Sequence, residues 1–126
     1  MNKIHLSIFT ALMLSVAIAT PASADTYKWG AIAFDSQKAE KEPAWGVGGG
    51  DTEQDATDAA MKLCKDEGGA VCKAAVTYEQ CGALAVDGKG AAGWGKSPTK
   101  AGAEKQALEG CGADSCSVVT SDCNNE

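Results

Sequence analysis

Beyond residue 25, short apolar runs alternate with breaks rich in glycine, proline or charge, and the whole succession occurs twice. The run Tyr27 to Phe34, YKWGAIAF, has the aromatic and apolar content of a strand, with small residues where another backbone or a helix must come close. Asp35 to Pro43, DSQKAEKEP, is charged and ends in proline, which predicts a solvated loop. Ala44 to Gly49, AWGVGG, predicts a strand returning from that loop and ending in glycines that can turn with positive φ. From Thr52 the spacing becomes helical. Thr52 can cap, Asp55 places a carboxylate near the positive helix start, and Ala56, Ala60, Leu63 and Cys64 form one apolar stripe over residues 53–65. Lys65 to Gly69 breaks the helix, and Val71 to Tyr78, VCKAAVTY, reads as a strand.

The second pass follows the same order. Gly82 to Val86, GALAV, matches Gly30 to Phe34, GAIAF, and an aspartate follows each, Asp87 and Asp35. Asp87 to Gly90, DGKG, is a shorter loop with a D-G turn signal, so this hairpin is expected to be tight. Ala91 to Lys96, with Trp94, answers Ala44 to Gly49, with Trp45. Thr99 stands to Cys111 as Thr52 stands to Cys64, and Ala103, Ala107, Leu108 and Cys111 give a second stripe. Ser117 to Ser121 closes the unit as a strand, and Asn124 to Glu126 reads as a frayed tail.

A solenoid needs about three repeats to bury a continuous core, whereas two copies can close one domain. The predicted fold class is α+β. Two pseudo-symmetric strand-strand-helix-strand units, 27–80 and 81–123, form one antiparallel sheet packed with two helices and stapled by disulfides.

All six cysteines lie in this part of the chain, and none has the C-x-x-C spacing of a zinc knuckle. They read as a disulfide framework whose pairing the sequence alone leaves open. The repeat narrows the choice, because both copies place cysteines in the order helix end, strand start, strand end. It points to Cys64 with Cys72, Cys111 with Cys116, and Cys81 with Cys123 across the two units.

The N-terminal residues change the setting. Lys3, the apolar run Ile4 to Ala19 and the Ala22-Ser23-Ala24 cleavage pattern predict a signal peptide over 1–24 and a single domain over 25–126. The run is short of the roughly 20 residues a spanning helix needs. The expected location is periplasmic or secreted, with no membrane insertion after cleavage.

Cleavage also removes His5, the only histidine, and Lys3. Ten lysines and no arginine then face 17 acidic residues. Such a surface lacks the bidentate donors that phosphate recognition uses, so nucleic acid is not an expected partner. A protein partner is expected to be neutral or basic.

The paired phrases WGAIAF and CGALAV, each followed by a Trp-Gly segment, an alanine-rich helix ending in cysteine and a cysteine-bearing strand, resemble the bacterial domain of unknown function 4189 over about Trp29 to Cys123. The resemblance implies a small exported disulfide-bearing protein and supplies no site residues. The long loop Asp35 to Pro43 and the absence of arginine depart from common members.

Without histidine, a Ser-His-Asp or Cys-His site and a histidine-held metal are excluded from 25–126. Ser97 beside Lys96 or Lys100 gives a Ser-Lys pair only in sequence, and no carboxylate pair stands out for glycoside chemistry. The acids at the first helix start lack the pattern of a calcium loop, and the glycine runs lack that of a phosphate loop. No catalytic residue, cofactor or metal is therefore predicted. The expected function is an exported non-catalytic binding domain that engages a protein partner in the envelope or outside the cell. Two alternatives are an inhibitor or immunity-type protein against a secreted hydrolase, acting through the acidic loop, and a small carboxylate-dependent enzyme. Trp29, Trp45 and Trp94 read first as core. If Trp45 and Trp94 face outward instead, they form an aromatic patch. The candidate partner-binding residues are Trp45, Trp94, Asp35, Glu40 and Glu42.

Overall fold

The computed structural model describes residues 26–38 and 43–125. The expected signal peptide and the loop acids Glu40 and Glu42 lie outside them. The order is β1 (Trp29–Asp35), a 3-10 turn (Ser36–Lys38), β2 (Trp45–Gly50), α1 (Glu53–Asp66), β3 (Cys72–Tyr78), β4 (Cys81–Val86), β5 (Ala92–Ser97), α2 (Lys100–Cys111) and β6 (Ser117–Cys123). Both helices start as their sequences dictate. Thr52 Oγ1 accepts from the Asp55 N–H and Thr99 Oγ1 from the Gly102 N–H, each at 3.1 Å. Gly112, left-handed at φ 75°, ends α2.

The α+β class, the antiparallel pairing and the repeated unit are as expected, but the strands divide into two sheets, β2-β1-β3 and β5-β4-β6. The reason lies in β1 and β4. Ala31 and Ala33 of β1 face α1 while Ile32 and Phe34 face the other way, and Ala83 and Ala85 of β4 face α2 while Leu84 and Val86 face the other way. All eight are buried, so each central strand needs cover on both faces. One sheet with its helices could cover only one, and stacking sheet on sheet covers the second. The layers therefore run α1, first sheet, second sheet, α2. The shared middle layer holds Ile32, Phe34, Val76 and Tyr78 against Leu84 and Val86.

The outer layers are built from alanine and glycine. Ala56, Ala60 and Cys64 on α1, and Ala103, Ala107 and Cys111 on α2, are the buried helix positions. Leu63 and Leu108, expected in these stripes, are exposed, because the small stripe is already close to the sheet. Close approach is possible because β2 and β5 turn glycine to the helix. A Cβ on Gly46 would stand 2.5 Å from the Ala60 carbonyl oxygen, and one on Gly48 2.6 Å from that of Ala56. Gly93 and Gly95 repeat the arrangement beneath α2.

Each unit also carries the same bulge. The register slips between Ile32 and Ala33 and between Leu84 and Ala85, leaving Ala75 and Val119 as the extra residues on β3 and β6. Both turn to the middle layer.

The disulfides are Cys64–Cys72, Cys111–Cys116 and Cys81–Cys123, the pairs the repeat predicts. The first two tie a helix end to the next strand. The third does not cross between units as expected. Cys81 and Cys123 face each other on β4 and β6, so the bond closes the second sheet. Three disulfides point to an oxidising, exported environment. Among the described residues no helix is long and apolar enough to cross a membrane.

Candidate functional site

The two sheets leave an aromatic seam at their margin. Trp45 stands opposite Phe34 in the β1–β2 ladder, and the Phe34 ring lies 6.5 Å from that of Trp94, tilted by 49°. Phe34 belongs to the first sheet and Trp94 to the second, so the three rings run from one unit into the other. Phe34 is buried, Trp45 is partly buried against the middle layer, and Trp94 is 49% exposed. Trp29 is partly buried and packs against the alanine layer under α1.

The two segments correspond as the sequence indicates, but their tryptophans are not counterparts. Trp45 pairs with Phe34, the place Ala92 takes opposite Val86. Trp94 pairs with Leu84, the place Val47 takes opposite Ile32. The two indoles thus occupy different rungs of the repeated ladder. Phe34, which joins them, was legible in the sequence only as a strand residue.

Asp35 is not a surface acid. It ends β1 at 1% exposure and turns inward, where Oδ2 accepts from the Ala70 and Val71 N–H groups at 2.9 and 3.1 Å and Oδ1 from Gln37 at 2.9 Å. It pins the segment before β3 and is withdrawn as a partner contact. Its counterpart Asp87 folds back on its own turn, accepting from the Lys89 and Ala91 N–H groups. These backbone donors, Lys89 first, hold its carboxyl below the usual carboxylate range.

At the far end of the sandwich the Tyr78 hydroxyl donates to Asp122 Oδ2 at 2.7 Å. Burial first, then this carboxylate, pushes the Tyr78 phenol well above the usual tyrosine range. Asn124, read as part of a frayed tail, is buried, and its Nδ2 donates to the Tyr78 and Glu79 carbonyls at 3.2 and 3.0 Å. Two open clefts of about 410 and 270 Å³ flank this end, one walled by Trp29, Lys96 and Cys81, the other by Lys100, Cys81 and Cys123.

Ser97 Oγ accepts from the Thr99 N–H at 3.4 Å, a local turn contact at the start of α2. Among the described residues, no three His, Cys, Asp or Glu side chains group as a metal site.

Two strand-strand-helix-strand units, stacked sheet to sheet and each stapled at its helix end, define a small disulfide-bearing α+β domain. The chain matches DUF4189, a domain of unknown function, over residues 29–123 and belongs to that family. It is similar to a solved structure, the NMR structure of Rv1813c from Mycobacterium tuberculosis, at 22% sequence identity and a TM-score of 0.52, over 98% of each chain. That likeness is one of fold. No curated protein matches the chain.

Proposed function

We propose that the domain is a non-catalytic binding module that engages a protein partner, in the cell envelope or outside the cell, through the seam of Trp45, Phe34 and Trp94. The observation that carries this reading is Trp94, 49% exposed on an edge strand and backed by the Phe34 ring of the other sheet. A large aromatic side chain left half in water forfeits on the order of 1 kcal/mol of burial. A partner that covers it recovers that energy, and tryptophans held on a rigid support are the usual centres of protein interfaces. The Phe34 ring supports one side of the indole, and side-chain ordering that is already in place need not be supplied on docking. With 17 acidic residues against 11 lysines, the partner is neutral or basic. The inhibitor reading loses its first acid, since Asp35 serves the fold.

The test keeps Trp94 and places a photo-crosslinking amino acid beside it at Lys96, exposed two residues along β5, or at the exposed Lys105 of α2, in exporting cells. A discrete protein adduct is expected from position 96 and not from 105, competed by added wild-type protein but not by Trp94→Ala. Equal adducts at both positions, or none at 96, contradict the proposal.

A further inference from the structure

We propose that Cys81–Cys123 is an exchangeable disulfide, the domain's site for thiol–disulfide exchange with a dithiol reductant, while Cys64–Cys72 and Cys111–Cys116 are structural. Three observations lead to this. The first is comparison of the two units. Cys64–Cys72 and Cys111–Cys116 are counterparts, each joining a helix end to the strand that follows, so both units require that bond. At the places of Cys81 and Cys123 the first unit has Trp29 and Glu79, and β1 pairs with β3 with no covalent link between them. The third bond is thus an addition to one unit, not a condition of its fold.

The second is access. Cys81 lines both the 410 and the 270 Å³ cleft, and Cys123 lines the smaller one. Cys81 is itself buried at 5%, but its partner Cys123 is partly exposed, whereas both members of the Cys64–Cys72 bond are buried. Cys111–Cys116 has the same exposure, Cys111 buried and Cys116 partly exposed, so what sets Cys81–Cys123 apart from it is the cleft lining and the lack of a counterpart in the first unit.

The third is what remains after the bond opens. The Pro98 carbonyl oxygen lies 3.7 Å from Cys81 Sγ, an acceptor for the thiol that reduction creates. The end of β6 stays anchored without the disulfide by the Tyr78–Asp122 hydrogen bond, the Asn124 side chain and the Asn124 N–H to the Gln80 carbonyl at 2.9 Å.

The step balances. One thiolate of the dithiol attacks the more accessible Cys123 Sγ, the Cys81–Cys123 bond breaks, and Cys81 leaves as a thiolate that takes a proton. The second thiol of the reductant then attacks the mixed disulfide, releasing Cys123 as a thiol and leaving the reductant oxidised.

The experiment is graded reduction of the native protein with dithiothreitol, alkylation at intervals and peptide mapping, with far-UV circular dichroism in parallel. Cys81 and Cys123 are expected to be labelled together, at least about tenfold faster than the other four, while the spectrum is unchanged. The Cys81→Ser/Cys123→Ser protein is expected to fold with both other disulfides formed. Earlier labelling of another pair, simultaneous labelling of all six with loss of the spectrum, or failure of the double variant to fold each overturns the proposal.

Discussion

Tyr78 and Asp122 hold the same place in the two units and are hydrogen-bonded to each other. Tyr78 stands opposite Gly30 on β1, Asp122 stands opposite Gly82 on β4, and the 2.7 Å bond joins the two sheets at their common end. The two glycines make room. A Cβ on either would collide with the Tyr78 ring, which lies between them. A duplicated position has thus diverged into a donor and an acceptor that lock the copies together.

Tyr78→Phe removes that lock without opening a cavity. Asp122 is partly exposed and water can replace the phenol, so the expected loss is about 1 to 2 kcal/mol, read from the urea midpoint at neutral pH. No change would mean that the bond contributes nothing.

The raised Tyr78 pKa adds a pH dependence. The folded state keeps a proton that the unfolded chain releases above about pH 10, so the stabilisation is full below that value and falls as pH rises toward the folded pKa. Wild type is expected to lose its advantage over Tyr78→Phe between about pH 10 and 11, at no more than about 1.4 kcal/mol per pH unit. A constant difference across that range would contradict the assignment.

Asp35→Asn is expected to damage the fold nearly as much as Asp35→Ala. The carboxylate uses both oxygens as acceptors for three backbone N–H groups, and an amide would turn its NH2 toward one of those donors. A loss of about 2 to 3 kcal/mol is predicted for either change by chemical denaturation. Full stability in Asp35→Asn would show that one oxygen is enough.

Gly48→Ala drives a methyl group into the α1 backbone at Ala56 and Ala60. The fold can relieve it only by lifting the helix, for an expected cost of about 2 to 3 kcal/mol. Gly88→Ala, in open space at φ 75°, carries only the left-handed backbone penalty, about 1 kcal/mol. Thermal melts of the two variants should rank in that order.

The element order and helix caps were legible because they depend on local chemistry, such as Thr52 and Thr99 ahead of alanine stripes at helical spacing. The disulfide partners were legible because the copies place their cysteines alike. The division into two sheets was not stated by any local signal, although the large-small alternation of GAIAF and GALAV encodes it. That alternation assigns two buried faces to one strand, and only stacking supplies the second cover. Asp35 was misread because an aspartate heading a charged stretch looks solvated, while its acceptors' partners, Ala70 and Val71, are far along the chain. The tryptophans were matched by segment, and only the ladder shows that Trp45 and Trp94 sit on different rungs.

The most direct test of the binding seam is tryptophan fluorescence of the Trp29→Phe/Trp45→Phe protein, which leaves Trp94 as the sole indole. The expected emission is that of a half-exposed ring, quenched by acrylamide several-fold more than in the protein that keeps only Trp29. A blue-shifted emission insensitive to acrylamide would place Trp94 in the core and contradict the seam as a binding surface.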